Sequence, residues 1–343
     1  MPQIKFIDRT FNCNHQHAMS IWRFLQEHDN GITNFHFEIS ADLLTEEEIA
    51  FIAKMRPGLI QLEIGVQSTN PKTVEEIRRM MDLERLCQVV QQVKEPDNIH
   101  QHLDLIAGLP FEDYETFRHS FDEIYALHPQ QLQLGFLKVL KGSYMYENRQ
   151  NYGLKYHTKP PYEVLETNWL TYTELLKIKY VEEMLEVYYN SAQFEMTMQV
   201  LEQAFASPFE MFLKLGEHYE KHGLFFMNHS RIRRCEILLD FIKEWDKEHL
   251  ELYQETLTFD LYYRENMKSR PYWAPEVSLF KEETRRICGK HKNVHLEPFF
   301  YDFSKLLQKK QQGYPEKQQE WSFYLFSYEE RNRLTGQAKV EII

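Results

Sequence analysis

The sequence has 343 residues, of which 43% are hydrophobic and 14% aromatic, and this excludes a disordered chain. The length predicts two domains, and the formal net charge of −12 disfavours a broad phosphate-binding surface, so we do not expect a nucleic-acid partner. No apolar stretch has the length of a membrane span and the N-terminus lacks the apolar block of a signal peptide. We therefore expect a cytoplasmic protein without a membrane partner.

In the first half, a short apolar run is repeatedly followed by a polar loop and an amphipathic helical stretch. The runs are IKFID (4–8), ITNFHFEIS (32–40), LIQLEIGVQS (59–68), NIHQHLDLIAGL (98–109) and QLQLGFLKVL (131–140). Strands that alternate with helices pair in parallel, because each helix crosses over the sheet. The pattern predicts an α/β fold, a partial TIM-like (β/α) barrel over residues 1–150, with its ligand at the carboxyl ends of the strands.

The second half changes character at the Lys159-Pro160-Pro161 step, since consecutive prolines disfavour a helix or a central strand. Apolar residues recur with helical spacing from residue 162 to about 266, and alternating stretches follow near 294–303 and 320–330. These patterns predict a mainly helical domain over residues 160–343 that ends in a small sheet.

Polar residues lie within or directly after the predicted strands of the barrel. They are Asp8, Glu38, Gln67, Ser68, Asp104 and Lys138. A single one of them is more simply explained as a satisfied buried group or a helix cap. Their recurrence at one end of successive strands predicts a ligand site there.

These segments also carry a family resemblance. In order, FHFEIS, LIQLEIGVQS with an IRR helix, HLDLIAGLPFEDYETF and QLQLGFLKVLKGS resemble strands two to six of the radical S-adenosylmethionine (SAM) enzymes, over roughly residues 1–145. The pattern is most similar to the branch with a cobalamin-binding domain, and it also resembles the oxygen-independent coproporphyrinogen oxidases. The second half is similar to the uncharacterised C-terminal domain of certain cobalamin-type members.

The resemblance implies that the chain binds SAM. In relatives, the acid at the position of Asp104 lies near the ribose hydroxyls, and the acid at the position of Glu38 approaches the SAM amino group. By the same resemblance, the methionine carboxylate would lie near Gln67, Ser68 and Arg78, with Arg79 as the alternative cation.

The resemblance also implies a [4Fe-4S] cluster, which three cysteines hold, normally as C-x3-C-x2-C. The chain has four cysteines and no such motif, and its nearest two, Cys235 and Cys288, are 53 positions apart. We therefore interpret the chain as a fragment that lacks the cobalamin domain, the first barrel strand and the cluster loop, and expect it to be catalytically silent. Its exposed first strand predicts possible self-association.

Three classes of function remain open from the sequence. The first is the SAM-binding portion of an enzyme for radical or methyl-transfer chemistry on an unknown substrate, without a nameable catalytic residue in this chain. The second is a non-catalytic binding module derived from that fold. The third is a metal-dependent barrel hydrolase that uses Asp8, Glu38 and Asp104.

Two pairs of histidines have spacings that metal sites use. His218 and His222 are four residues apart, but the intervening YEK has no glutamate in the metalloprotease position, so we expect two surface histidines. His100 and His102 share one face of their strand, where we expect a structural or substrate-facing role. The sequence predicts no metal site.

Overall fold

The fold is that of a computed structural model, which describes residues 2–289, 292–308 and 313–343. The chain forms two compact units, Met1–Glu186 and Val187–Ile343. Among the described residues, no helix combines the length and the apolar character that crossing a bilayer requires.

A parallel five-stranded sheet organises the first unit. Its strands are β1 (Gln3–Lys5), β2 (Asn34–Ile39), β3 (Ile60–Gln67), β4 (His100–Ala107) and β5 (Gln131–Phe136). They pair in parallel in the order of the chain, β1 to β5, which is the strand order of a (β/α) barrel. The sheet is half of such a barrel, and the predicted fold class is confirmed.

Helices follow the strands of this sheet. They are α1 (His15–Glu27), α2 (Glu46–Ile52), α3 (Pro71–Glu76), α4 (Leu83–Lys94) and α5 (Tyr114–Tyr125). Their starts are set by local side chains: Thr45 and Glu48 form a capping box on α2, and Asp113 accepts a hydrogen bond from the Thr116 N–H of α5. Each helix therefore begins where a polar side chain satisfies its free N–H groups.

The apolar side of the sheet is the core of the first unit. Phe37, Leu62 and Leu103 are fully buried on it, one from each of three adjacent strands. Trp22 of α1, also fully buried, packs edge-on against Phe37 with the ring centroids 6.2 Å apart. The core thus lies between the sheet and the helices on one side, which leaves the opposite side of the sheet free of that packing.

The segment after β5 corrects the predicted helix boundary. It contains α6 (Tyr144–Glu147), a hairpin of β6 (Lys155–Tyr156) and β7 (Val164–Glu166), and α7 (Tyr172–Leu185). The prediction of a helix from residue 162 is wrong for its first ten residues. The helix starts only at Tyr172 because Thr171 and Glu174 form a capping box there.

The second unit is mainly helical and ends in a sheet, as predicted. Its helices are α8 (Glu195–Leu201), α9 (Pro208–Lys221), α10 (Arg231–Trp245), α11 (Leu250–Arg264), α12 (Lys281–Cys288) and α13 (Ser304–Leu307). Strands β8 (Val294–Tyr301), β9 (Lys317–Arg331) and β10 (Ala338–Ile342) form an antiparallel sheet with β9 in the centre. Shorter helical turns occupy Phe11–Cys13, Ala41–Leu43, Glu186–Asn190, Glu202–Ala204, Lys247–His249 and Ser278–Phe280.

Candidate functional site

One face of the parallel sheet is polar across all five strands. The side chains that the strand register places on this polar face include Lys5, His36, Glu38, Gln61, Glu63, His102, Asp104 and Gln133. Side chains alternate between the two faces of a strand, so the polar face lies opposite the apolar core. A row of charged groups here is not required by packing, which makes this face the candidate site.

Three carboxylates of the polar face influence one another. Burial raises the pKa of Glu38, and the negative charges of Glu63 and Asp104 raise it further. Lys5 and Arg79 oppose this rise but do not cancel it. A cationic ligand group would relieve the repulsion, since it favours the charged form of each acid.

Glu63 lies against one lysine and one histidine of the polar face. One of its oxygens, Oε2, lies 2.6 Å from Lys5 Nζ and 2.7 Å from His36 Nε2. Burial alone would raise the pKa of Glu63, but Lys5 and His36 outweigh it and the pKa is lowered. Sequence analysis missed Glu63, although the alternation of Gln61, Glu63 and Gly65 already places it on the same face as Glu38.

Asp104 keeps hydrogen-bonding capacity in a buried position. Its Oδ1 lies 3.0 Å from His102 Nε2, yet the two are not aligned for a hydrogen bond and both atoms are buried without a partner. Only 16% of the Asp104 side chain is exposed. A buried carboxylate oxygen without a donor is costly, so a ligand that donates hydrogen bonds would stabilise it.

The two arginines after α3 point in different directions. Arg78 has a φ of 56°, and its guanidinium lies 4.2 Å from the centre of the Tyr144 ring. Arg79 donates to the Gly65 carbonyl, and its Nε is buried without a partner. Burial lowers the pKa of Arg79, while Asp42, Glu38 and Asp104 raise it. The structure thus places Arg79, rather than Arg78, beside the carboxylates.

Gln67 reaches back over Gly65 at the carboxyl end of β3. Its backbone has a φ of 73° at an irregularity in the pairing with β4, and its buried Oε1 has no partner. A Cβ atom on Gly65 would clash with Gln67 Nε2 and would lie 3.6 Å from Arg79 Nη2. Glycine at this position lets both side chains approach the backbone opposite Asp104.

Ser68 is buried between two loops instead of facing the polar face. Its hydroxyl donates to Glu112 Oε1 at 2.5 Å, and Ser120 donates to the same oxygen at 3.2 Å. Nearby, Asn70 Nδ2 donates to the Phe111 carbonyl at 2.7 Å. These bonds join the loop after β3 to the loop after β4, so Ser68 helps to hold the carboxyl ends of the two strands in place.

Glu112, which sequence analysis missed, should make stability depend on pH. Burial raises its pKa from the usual 4.5 to about 7, against the bonds from Ser68 and Ser120. Between pH 4.5 and pH 7 the folded state retains a proton that the unfolded state loses. The contribution of protonated Glu112 to the free energy of unfolding is therefore fully present below pH 4.5 and is lost as the pH rises through 7. From pH 4.5 to pH 8 the wild type should lose about 3 kcal/mol of unfolding free energy through Glu112, and Glu112→Gln should not show this loss.

Urea denaturation at several pH values measures this difference. Glu115→Gln is the matched control, because its side chain is 70% exposed in the same region. Parallel pH profiles for the wild type and Glu112→Gln would contradict the assignment.

The other candidates from the sequence do not join the cluster of carboxylates. Asp8 and Lys138 are exposed. Within the described parts of the chain, Asp8, Glu38 and Asp104 do not form a group with metal-binding distances. This arrangement gives the barrel-hydrolase hypothesis no support.

The cysteines of the first unit do not fit an iron-sulfur cluster. Cys13 is exposed in the turn after β1 and Cys87 is half-buried on α4, whereas a C-x3-C-x2-C loop holds a cluster with three cysteines. We therefore assign no reaction step through a cluster to the residues of this chain.

The fold and the polar face define a partial (β/α) barrel with a candidate ligand site, joined in sequence to a mainly helical unit. The chain belongs to the family described as "Protein of unknown function (DUF4080)", which matches residues 150–336.

A curated relative matches a shorter part of the chain. The oxygen-independent coproporphyrinogen-III oxidase-like protein HemZ of Bacillus subtilis (strain 168) is 30% identical over 111 residues, which is 32% of this chain and 22% of HemZ. The chain thus spans about a fifth of the length of this relative.

Solved structures show weaker likenesses. Coproporphyrinogen III oxidase (HemN) from Escherichia coli, a radical SAM enzyme, has a TM-score of 0.41 at 16% identity, over 55% of this chain and 40% of HemN. The radical SAM methyltransferase TsrM from Kitasatospora setae, with cobalamin and a [4Fe-4S] cluster bound, has a TM-score of 0.38 at 16% identity, over 49% of this chain and 34% of TsrM.

Proposed function

We propose that the first unit binds SAM at the carboxyl ends of β2, β3 and β4. The observation that carries this proposal is the half-buried group of Glu38, Glu63 and Asp104 beside Arg79, in which Asp104 Oδ1 and Arg79 Nε lack hydrogen-bond partners. SAM carries an ammonium, a sulfonium, a carboxylate and ribose hydroxyls. This set of charges and donors complements three acids and one arginine.

Each residue then has a distinct role. The Glu38 carboxylate faces the ammonium group, which relieves its repulsion by the other acids. Asp104 accepts hydrogen bonds from the ribose hydroxyls. Arg79, together with the Gln67 amide, binds the methionine carboxylate, and Ser68 acts indirectly by fixing the loop that presents Gln67.

We infer that radical or methyl-transfer chemistry with this SAM requires cluster ligands, and the four thiols of the chain do not supply them. The polar face does not identify the substrate of such a reaction. Cobalamin, which is bound in the TsrM structure, would be a further component of such a reaction. What this chain itself contributes is binding and orientation of SAM. A binding module derived from the fold would use the same residues.

The two arginines provide a matched test of the proposed site. We expect Arg79→Gln to weaken SAM binding at least tenfold, about 1.4 kcal/mol, because it removes the half-buried cation beside the acids. Arg78→Gln should leave the affinity unchanged, since Arg78 is exposed and lies over Tyr144. Isothermal titration calorimetry with SAM measures both, and thermal denaturation verifies that both variants fold.

Two outcomes would contradict the proposal. One is a wild-type chain that is folded and nevertheless shows no SAM binding in the titration. The other is an equal loss of affinity in Arg78→Gln and Arg79→Gln, which would show that net charge rather than this geometry governs binding.

A further inference from the structure

Two helices of the second unit bring two imidazoles and one carboxylate together. His218 lies on α9, His222 follows its last residue, and Glu244 is the penultimate residue of α10. His218 Nδ1 lies 3.5 Å from Glu244 Oε2, and His222 Nε2 lies 3.9 Å from Glu244 Oε1. One ligand atom from each residue can be chosen so that all three lie within 4.8 Å of one another.

His218 is not the surface histidine that its sequence spacing suggested. Its side chain is 5% exposed, and its buried Nδ1 has no hydrogen-bond partner. The ring is held by Phe241, whose centroid is 5.6 Å away, and by His222 at 4.4 Å. A buried nitrogen without a partner costs free energy, and its fixed direction toward Glu244 would favour a ligand between the two.

We propose that His218, His222 and Glu244 bind a divalent transition-metal ion of the zinc type. Imidazole nitrogens and one carboxylate oxygen are the donors that zinc uses in protein sites, and three protein ligands leave one position for water. Such a site would connect α9 to α10. It is independent of the proposed SAM site.

The spacing of the ligand atoms is close to what zinc requires. Ligands at about 2.0–2.2 Å from a tetrahedral ion lie about 3.4 Å apart. The distance from His218 Nδ1 to Glu244 Oε2 is 3.5 Å, which is close to this value. His222 and Glu244 are 44% and 43% exposed, so both can rotate to shorten the remaining distances without disturbing the core.

Lys221 is the competitor for this carboxylate. Its Nζ lies 3.3 Å from Glu244 Oε1, and its side chain is 63% exposed. An exposed ion pair of this kind contributes little stability, so a metal ion can displace the ammonium group. Removal of the lysine charge should therefore strengthen metal binding.

Zinc binding by the purified full chain tests the proposal. After removal of metals with EDTA, equilibrium dialysis against ZnCl2 should show one bound zinc ion per wild-type chain. Glu244→Gln and His222→Asn should each bind zinc at least tenfold more weakly. Lys221→Met should bind it more tightly. Cobalt(II) at the same site should give the visible absorption of tetrahedral coordination, which distinguishes a formed site from surface adsorption.

A second histidine and glutamate pair provides the matched control. His119 and Glu123 are also four residues apart, with Nε2 and Oε2 separated by 3.9 Å, and the described structure places no third ligand with them. His119→Asn should bind zinc as the wild type does. Equal zinc affinity in the wild type, Glu244→Gln and His222→Asn would overturn the proposal, as would a wild-type chain that retains no zinc.

Thermal denaturation gives a readout that does not depend on counting ions. At a free zinc concentration 100 times its dissociation constant, the midpoint for the second unit should rise by about 5 °C. Glu244→Gln should not show this rise. Since Glu244 is half-exposed, this variant should fold without zinc like the wild type, and circular dichroism verifies that it does.

Discussion

Replacement of Asp260 by alanine is expected to destabilise the second unit by about 4 kcal/mol. Asp260 lies on α11 and is 2% exposed, and it accepts bonds from the Met196 N–H at 2.9 Å, the Thr197 N–H at 3.0 Å and the Thr197 hydroxyl at 2.7 Å. These donors belong to the first turn of α8, whose own N-cap residue, Phe194, offers no side-chain bond. The alanine variant would leave the two N–H groups buried and unpaired, and the Thr197 hydroxyl would keep only its bond to Thr256.

Urea denaturation, followed by circular dichroism, measures this loss. The matched control is Asp240→Ala on α10, since Asp240 is 54% exposed and pairs only at the surface with Lys243. We expect this control to change stability by no more than about 0.5 kcal/mol. Similar unfolding midpoints for the two variants would show that α8 does not depend on the cap from α11.

Replacement of Asp104 by alanine is expected to weaken SAM binding by about 100-fold, or about 2.7 kcal/mol. The carboxylate has a buried oxygen without a donor, and two sugar hydroxyls would form charge-assisted bonds with it. Asp104 contributes no apolar packing to the core, so the fold should tolerate the change. Calorimetric titration measures the affinity, and thermal denaturation verifies the fold.

A SAM analogue without ribose hydroxyls provides the chemical control for Asp104. This analogue should bind the wild type weakly, and it should bind Asp104→Ala with nearly the same affinity. The substitution and the missing hydroxyls remove the same contact. If SAM itself binds Asp104→Ala as tightly as the wild type, the proposed role of Asp104 is wrong. If the losses from the two changes simply add, Asp104 acts elsewhere in the site.

The sequence was sufficient for the half-barrel because each strand is marked locally. Short β-rich runs, punctuated by polar loops and followed by amphipathic helices, predict parallel strands in chain order, and capping residues such as Asp113 mark helix starts. The same logic places Glu38 and Asp104 toward the carboxyl ends of β2 and β4, the two strands that flank β3. The alternation of side chains along β3 also places Glu63 on the same face as Glu38.

The boundary between β7 and α7 was less accessible to sequence reasoning. Residues 162–171 have apolar spacing that a helix or a strand can use, and the hairpin partner that decides between them is Lys155–Tyr156. Local periodicity is degenerate over so short a run. Pairing with another segment, and the capping box at Thr171, resolved it.

The sequence by itself determined the types and order of the elements, because propensity, alternation and caps act between near neighbours in the chain. Only the tertiary structure decided which side chains meet. The positive φ of Arg78 ends the turn and leaves Arg79 beside the acids, and Ser68 meets Glu112 across 44 residues. Likewise, Glu244 joins His218 and His222 from another helix. Such encounters depend on packing between distant segments, and the spacing of residues along the chain does not record them.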